Sequence, residues 1–372
     1  MSERVLITGG AGFIGSHLAD RLIAGGRRVR VLDALVEQVH GPHADWPDHL
    51  HPEVEKLRGD IRDARTLESA LQDVDAVVHL AAAVGVGQSM YEVAHYTSVN
   101  NLGTAVLLEA LARRPIRRLL VASSMSIYGE GLYADASGNT CAVAERSAEQ
   151  LQQRHWEPRG PDGAPLVPLP TPEHKPAAPS SVYALSKQDQ ERLCLMLGQA
   201  YGIPTVALRF FNVYGAYQSL SNPYTGVLAI FASRLLNGRP PIIFEDGEQR
   251  RDFIEVRDIA LACELALDRD AAVGRALNIG SGRSYTIRDI ASRIAKAVRR
   301  PDIEPEISGR FRVGDVRHCF ADLTQARAQL GFEPRYSLEQ GLEDLGTWLE
   351  GRSSHDRVDA ARQELDRQGL WL

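Results

Sequence analysis

The segment from Val5 to Leu22 constrains the fold of this chain more than any other. Val5-Leu6-Ile7 has the apolar character of a buried strand, helical spacing begins at Phe13, and glycines dominate the residues between them. In this context glycines let backbone N–H groups approach a pyrophosphate, and the N-terminus of the helix favours its negative charge. The segment therefore predicts a dinucleotide site that uses Gly9, Gly12, Phe13, Ile14 and Gly15.

Asp33 ends the second predicted strand and indicates which dinucleotide is bound. An acid at this place hydrogen-bonds the ribose 2′-hydroxyl and repels a 2′-phosphate, so NAD is favoured over NADP. Arg27, Arg28 and Arg30 lie nearby and weaken this preference, so NADP is kept as the alternative.

Short apolar runs alternate with amphipathic stretches along the chain. This alternation predicts an α/β fold: a Rossmann-like doubly wound parallel sheet with a smaller mixed α/β C-terminal substrate lobe. We predict an NAD-binding domain at 1–203 and a mainly substrate-binding lobe at 204–372, partly interleaved with it. The predicted strands are 4–7, 28–33, 54–59, 75–80, 117–123 and 205–210, with a helix at 183–201. Frequent prolines and glycines interrupt the alternation at 131–179, which we interpret as an insertion.

Charge and cysteine content exclude several function classes. The 42 basic and 48 acidic residues give a net charge of -6 without a long basic run, so we expect no nucleic acid partner. No stretch approaches the ~18 apolar residues of a membrane span, so we expect no membrane partner. The four cysteines form neither a CxxC pair nor a Cys/His cluster, which predicts no metal site and reduced thiols in the cytoplasm.

Five ordered motifs resemble the extended short-chain dehydrogenase/reductase family, in particular its NAD-dependent nucleotide-sugar epimerases such as UDP-galactose 4-epimerase. The motifs are Gly9-Gly10-Ala11-Gly12-Phe13-Ile14-Gly15, Gly59-Asp60-Ile61, His79-Leu80-Ala81-Ala82, Ser123-Ser124-Met125-Ser126-Ile127-Tyr128-Gly129 and Tyr183-Ala184-Leu185-Ser186-Lys187. The resemblance implies that Asp60 and Ile61 contact adenine and that Asn101 fixes the loop beside the cofactor. It also implies that Leu80, Ala81 and Ala82 line the cofactor.

The same resemblance implies a catalytic set of Ser124, Tyr183 and Lys187, and the last two would also touch the cofactor. A hydride leaves a carbinol carbon only when a base removes the hydroxyl proton. A free tyrosine has a pKa of about 10, so we expect Lys187 and the cationic nicotinamide to lower that of Tyr183. A lone YxxxK is more often a surface pair, and only its combination with the other motifs favours catalysis. We expect Tyr128 and His79 to be structural.

Three further segments resemble family stretches that hold the substrate. The resemblance assigns Asn212 and two arginines, Arg251 and Arg317, to the diphosphate, and we add Ser126 to the substrate contacts. Arginine provides a rigid fork for a diphosphate, although surface ion pairs with Asp252 or Asp315 are the alternative. Because the insertion at 131–179 leaves the serine strand and returns at the tyrosine helix, we expect it to cap the sugar end.

The residues after Ser124 discriminate between reactions. Related 4,6-dehydratases place Asp-Glu there, and related decarboxylases use a carboxylate in the same stretch, whereas this chain has Met125 and Ser126. We therefore predict an epimerase, acting at C4 of a dTDP- or UDP-sugar through a transient ketone. Segments 124–131, 170–176 and 312–322 resemble the dTDP-L-rhamnose 4-epimerase branch.

Two alternatives stay open: a nucleotide-sugar 4-ketoreductase and a non-catalytic NAD-sensing regulator on the same fold. The nucleotide, the sugar and the epimerised carbon depend on loop shapes that one sequence does not reveal. The helices near 92–113 and 183–201 resemble those that form a four-helix dimer interface in the family, so a homodimer is expected.

Overall fold

A seven-stranded parallel sheet forms the centre of the computed structural model, which describes residues 2–41, 44–141, 143, 146–312 and 314–370. Its strands are β1 (Arg4–Thr8), β2 (Arg28–Asp33), β3 (Glu55–Arg58), β4 (Ala76–His79), β5 (Arg118–Ser124), β6 (Thr205–Phe210) and β7 (Ala276–Ile279). The strand order is β7-β6-β5-β4-β1-β2-β3. The order reverses beside β1, and such a reversal opens a crevice at the carboxyl ends of the strands. The predicted doubly wound sheet is confirmed.

Helices cover both faces of this sheet. The longer helices of the described chain are α1 (Phe13–Ala24), α2 (Ala64–Ala70), α3 (Gly103–Arg113), α4 (Val182–Tyr201), α5 (Val227–Leu236), α6 (Val256–Asp268), α7 (Ile287–Ala297), α8 (Thr324–Leu330), α9 (Leu338–Leu349) and α10 (Val358–Arg367). On one face α1, α6 and α8 bury apolar side chains such as Leu18 and Ile259, and on the other α2, α3 and α4 do so with Leu67 and Leu107. None of the helices in the described part of the chain is long and apolar enough to cross a membrane.

Shorter helical segments lie mainly in the connections after the strands. They are Glu37–His40, Val86–Ser89, Val93–Tyr96, Ala148–Gln152, the 3-10 turns Met125–Tyr128 and Asp270–Ala272, and a π-helix at Thr97–Leu102. The π-helix joins Val93–Tyr96 to α3 without a break, so its extra residue per turn changes which side chains face inward.

The predicted long helix is confirmed as α4, and local chemistry explains both of its ends. The Ser181 side chain accepts a hydrogen bond from the backbone N–H of Ala184, which caps the N-terminus. Gly202 ends the helix with φ 67°, a left-handed conformation that glycine adopts without strain.

The second half of the chain builds a lobe around a separate apolar cluster. Helices α5, α7 and α9 contribute Phe231, Ile294 and Leu345 to it. Its short strands are Asn212–Tyr214 with Phe253–Glu255, Ile242–Ile243 with Glu306–Ile307, and Arg250–Arg251 with Tyr285–Thr286 and His318–Cys319. Because β6 and β7 belong to the central sheet, residues after 204 contribute to both the sheet and the lobe.

The segment 131–179 forms a small unit of its own. Strands Leu132–Ala134, Thr140–Cys141 and Val167–Leu169 pair in an antiparallel sheet. Thr171 bridges to Ala321, which ties the unit to the lobe. Residues 142, 144 and 145 of this segment lie outside the described residues.

Candidate active site

A cavity of about 1010 Å³ runs along the carboxyl ends of the central strands and continues into the lobe. Its wall contains almost all of the predicted cofactor residues, namely Gly9, Gly12, Phe13, Ile14, Gly15, Asp33, Asp60, Ile61, Leu80, Ala81 and Ala82. It also contains Ser124, Ser126, Tyr183, Lys187, Asn212 and Arg251. Tertiary folding therefore brings together residues that lie up to 242 positions apart in the sequence. Of the predicted site residues, Asn101 and Arg317 do not line the cavity.

The glycine turn has no room for side chains at its closest points. Gly9 has φ +69°, and a Cβ there would lie 2.8 Å from the Ala81 backbone. A Cβ on Gly15 would lie 2.5 Å from the Gly10 Cα, so α1 packs directly on the turn. Gly12 caps α1 without a side-chain bond, and the first N–H groups of a helix have no partner within it. This cradle fits a pyrophosphate.

Asp33 lies at the cavity wall beside the glycine turn. Its carboxylate accepts hydrogen bonds from the backbone N–H groups of Ala11, at 3.0 Å, and Leu35, at 2.9 Å. These bonds hold the acid at the end of β2, where it can receive a ribose hydroxyl.

Ser124, Tyr183 and Lys187 meet where β5 and α4 face each other. The Ser124 Oγ accepts a hydrogen bond from the Ser126 hydroxyl at 2.9 Å, and Tyr183 is also hydrogen-bonded to Ser124. The buried Lys187 Nζ donates to Gln190 Oε1 at 2.8 Å. Tyr183 begins the first turn of α4, and its backbone N–H is held by Ser89 Oγ at 3.0 Å. All three residues line the cavity, and Ser124 and Tyr183 are in direct contact.

Burial dominates the electrostatics of this set. It raises the pKa of Tyr183, and the hydrogen bond with Ser124 only partly opposes the rise. Burial also lowers the pKa of Lys187 to about 8. The expected lowering of the Tyr183 pKa is therefore absent in the protein alone, because desolvation of the phenolate outweighs the attraction of nearby groups. A further positive charge in the cavity is needed to reverse it.

The loop after β4 is held by Asn100, and the prediction of Asn101 for this role is wrong by one residue. Asn100 Oδ1 accepts from the Ala83 N–H at 2.7 Å, and its Nδ2 donates to Ala83 O and to Ser186 Oγ. Asn101 instead donates to Asp189 at 2.6 Å. Both asparagines lie in the π-helix, whose wider turn directs Asn100 inward.

Two arginines on the cavity wall share one carboxylate. Arg251 Nη2 lies 3.4 Å from Asp315 Oδ1, and Arg312 Nη2 lies 3.1 Å from Asp315 Oδ2. The Nε of Arg312 is buried without a hydrogen-bond partner among the described residues. Arg312 is a site residue that the sequence analysis missed, although the stretch 312–322 contains it.

Arg317 does not line the cavity, so the predicted phosphate contact does not fit its position. Its side chain is only 1% exposed. The guanidinium donates to Glu245 at 2.8 Å, to Asp246 at 2.6 Å and to Glu157 at 2.5 Å. Three carboxylates thus occupy its donors, and Arg317 joins the lobe to the insertion.

Two buried side-chain oxygens that lack a hydrogen-bond partner lie in the substrate half of the cavity. Asn212 Oδ1 and Gln249 Oε1 are buried and have no hydrogen-bond partner within the described chain. Both residues line the cavity. Because buried polar atoms normally have a partner, these oxygens indicate a ligand that supplies donors.

The insertion contributes nothing to the cavity among its described residues. Its Glu157 binds Arg317 and His318, and its Arg146 donates to Glu245 at 2.8 Å. The described part of 131–179 therefore does not form the expected cap over the sugar end, because its ion pairs hold it against the strand His318–Cys319.

The two residues expected to be structural are indeed outside the chemistry. His79 lies between Thr8, at 2.7 Å, and Thr104, at 2.9 Å, and burial lowers its pKa to about 3. The Tyr128 hydroxyl donates to Asn278 Oδ1 at 2.7 Å and is buried away from the cavity.

Comparison with known proteins supports this interpretation of the site. Residues 5–280 match the NAD dependent epimerase/dehydratase family. The chain is 37% identical over 371 residues to the dTDP-L-rhamnose 4-epimerase of Burkholderia thailandensis, covering 98% of this chain and 97% of that protein. The UDP-glucose 4-epimerase of Thermotoga maritima, solved with UDP-glucose, superposes with a TM-score of 0.76 at 30% identity, covering 93% and 98% of the two chains. The UDP-glucose 4-epimerase of Thermus thermophilus, solved with NAD, has a TM-score of 0.72 at 30% identity, covering 94% and 99%.

Proposed function

The chain belongs to the NAD dependent epimerase/dehydratase family, and from this premise we propose that it is a nucleotide-sugar 4-epimerase. Its cofactor is NAD. We infer that it acts on a dTDP- or UDP-linked hexose, as the dTDP-L-rhamnose and UDP-glucose 4-epimerases among its relatives do by name. The observation that carries the proposal is one cavity that joins the glycine cradle, the Ser124–Tyr183–Lys187 set and the cationic wall of the lobe.

The chemistry divides between cofactor and chain. NAD, when bound in the cradle beside Asp33, supplies the acceptor and donor for a hydride. Tyr183 takes the proton from the C4 hydroxyl as the ketone forms and returns it after the sugar has presented its other face. Ser124 hydrogen-bonds the same oxygen and keeps it in line with Tyr183. Lys187 holds the nicotinamide ribose, and its ammonium with the cationic nicotinamide favours the phenolate.

The substrate diphosphate has its best partners in Arg251 and Arg312. Both guanidiniums line the cavity, and the carboxylate of Asp315 orients them. Bidentate arginine contacts to phosphate are strong and geometrically specific. Asn212 contributes its side chain to the same end, and Ser126 lies beside Ser124. Arg312 thus takes the role first expected of Arg317.

An epimerase is favoured over a dehydratase by the residues beside the catalytic set. Met125 and Ser126 follow Ser124 along the cavity wall. Related dehydratases have carboxylates at these two positions for the elimination of water, and this chain has none there. A 4-ketoreductase is the second candidate, because the same three residues serve it. Asp33 speaks against that candidate where it depends on NADPH, since its carboxylate would repel a 2′-phosphate. A non-catalytic NAD sensor has no need of all three catalytic groups.

We further infer a homodimer that pairs α3 and α4 with their copies. Leu185 and Met196 on α4 are exposed, and their spacing of three helical turns puts them on one face. Leu102, where the π-helix joins α3, is exposed as well. A cytoplasmic location is proposed because the four cysteines are free thiols.

The direct test is incubation of the purified protein, without added cofactor, with dTDP-L-rhamnose, UDP-glucose and related nucleotide sugars. An epimerase yields a product of unchanged mass and altered chromatographic retention, without net NADH. The matched control is Tyr183→Phe, which keeps the ring but lacks the proton acceptor. Net consumption of NADPH would indicate the ketoreductase, and tight NAD binding without turnover would indicate the sensor.

A further inference from the structure

The C-terminal helix α10 forms part of the cavity wall. Val358, Ala361, Arg362 and Leu365 line the cavity. They are spaced i, i+3, i+4 and i+7, which puts them on a single face of the helix. The stretch is rich in charged residues, so its contact with the cavity is a finding of the tertiary structure.

The position of Leu365 locates this face at the substrate end. A Cβ placed on Gly87 would lie 3.3 Å from a methyl carbon of Leu365 and 3.7 Å from the Cδ of Arg312. Leu365 and Arg312 therefore approach the same point of the loop after β4. Arg362 lies one turn earlier on the same face of α10, which brings its side chain to the cavity near Arg312.

Hydrogen bonds and ion pairs provide much of the attachment of α10 to the lobe. Arg234 Nη1 lies 3.0 Å from Asp359, and Arg239 lies 3.2 Å from Asp356 and 3.0 Å from Asp359. Ser354 bonds to Ser233 at 2.9 Å. Arg239 and Asp359 are each about half exposed, and ion pairs of this kind contribute little stability. The pair of Arg234 with Asp356, just before α10, is buried.

The apolar attachment of α10 is small. Only Ala361 and Leu365 of its described residues are buried. Elements with few buried apolar contacts open locally at low cost in free energy. Few apolar contacts thus hold α10 itself, whereas the buried pair of Arg234 with Asp356 anchors the chain just before it.

We propose that α10 is a lid over the substrate half of the cavity, and that Arg362 is a further substrate-binding residue that contacts the diphosphate. This inference rests on the proposed function and adds a third guanidinium to the set. Arg251 and Arg312 share the carboxylate of Asp315, which offsets part of their positive charge. A diphosphate carries two negative charges, so an additional guanidinium near Arg312 is favourable for binding it.

A lid also suits the chemistry. The transient ketone must turn over inside the cavity without escaping, and a closed site retains it and excludes water. Substrate and product then enter and leave when α10 undocks, while NAD stays in the cradle on the other side of the cavity.

The test compares Arg362→Gln with Arg367→Gln, a matched change on the same helix at an exposed position outside the cavity wall. Calorimetry measures the affinity of each variant for dTDP and UDP, and steady-state kinetics measures KM and kcat. Loss of a charge-assisted hydrogen bond predicts about a tenfold weaker dTDP or UDP affinity and a similar rise in KM for Arg362→Gln. Arg367→Gln keeps the values of the parent protein, and NAD affinity is unchanged in both variants.

The lid is tested by two changes that leave the cradle intact. A chain that ends at Glu350 lacks α10, and the double variant Asp356→Asn with Asp359→Asn keeps α10 but loses its ion pairs with Arg234 and Arg239. Stopped-flow dissociation of dTDP and UDP is expected to accelerate in both, with an unchanged affinity for NAD in the double variant.

Equal affinities of Arg362→Gln and Arg367→Gln would overturn the assignment of Arg362, and unchanged dissociation rates in the double variant would overturn the lid. A parent protein that binds NAD but neither dTDP nor UDP would instead contradict the proposed function. The two failures are therefore distinguishable.

Discussion

The Nη2 of Arg312 lies 3.1 Å from the Oδ2 of Asp315, and this pair holds a guanidinium on the wall of the substrate cavity. Five residues later, Arg317 is buried among carboxylates and does not line the cavity. We therefore propose that Arg312 binds a ligand and that Arg317 stabilises the fold. This difference makes them separable by mutation.

Arg312→Ala is expected to raise KM for the nucleotide sugar at least about tenfold with nearly unchanged stability, because a phosphate partner is lost. Arg317→Ala is expected to lower the free energy of unfolding by about 3–5 kcal/mol, because Glu157, Glu245 and Asp246 would lose the cation that they share. Urea denaturation and steady-state kinetics on both variants check this. A stable Arg317→Ala protein with a raised KM would reverse the two roles.

Tyr183→Phe is expected to keep NAD and substrate binding but to lose several orders of magnitude in kcat, because proton transfer is coupled to hydride transfer. Single-turnover kinetics and calorimetry separate the two effects. With substrate deuterated at C4, the parent enzyme should retain the label in the product. Exchange of that deuterium with water would indicate deprotonation at carbon and contradict the transient ketone.

The cofactor preference depends on Asp33. Its carboxylate should accept the ribose 2′-hydroxyl of NAD and repel the 2′-phosphate of NADP, so NAD should bind much more tightly. Asp33→Asn removes the negative charge and should narrow the difference between the two affinities. Calorimetry with both dinucleotides provides the measurement, and equal affinities in the parent protein would rule this role out.

Asn100 should matter for cofactor binding, whereas Asn101 should not. Asn100→Ala removes the bonds that hold Ala83 and Ser186, so the loop beside the cofactor loosens and NAD affinity falls. The bonds lost are worth about 1 kcal/mol each. Asn101→Ala, which loses only a partly buried bond to Asp189, is the matched control. Equal NAD affinities of the two variants would argue against the loop function of Asn100.

His79 should make stability depend on pH. Burial lowers its pKa to about 3, whereas the unfolded chain takes up the proton at about 6.5. The unfolded state thus binds more protons between these values, so the contribution of His79 to stability is lost as pH falls below about 6.5. By pH 5 the loss is about 2 kcal/mol.

The variant His79→Gln isolates this contribution. The difference in unfolding free energy between parent and variant should shrink by that amount from pH 7 to pH 5, as measured by urea denaturation at both values. A constant difference would mean that His79 has the same pKa in the folded and the unfolded protein.

The sequence by itself determined the features that depend on consecutive residues. The turn from Gly9 to Gly15 needs small residues at set positions, whatever the rest of the chain does, and Asp33 follows at the end of the next strand. Six of the seven strands of the central sheet and α4 were predicted to within about two residues, because period, caps and glycines are local signals, whereas β7 was not predicted.

Only the tertiary structure decided which of several similar side chains reaches the cavity. The π-helix selects Asn100 over Asn101, and helical periodicity does not predict such an irregular turn. Carboxylates of distant segments, Glu157 and Glu245 among them, bind Arg317 and keep it from the cavity, whereas Arg312 lines it. The position of 131–179 and the contact of α10 with the cavity likewise arise from long-range ion pairs. Such contacts depend on three-dimensional proximity, which spacing along the chain does not encode.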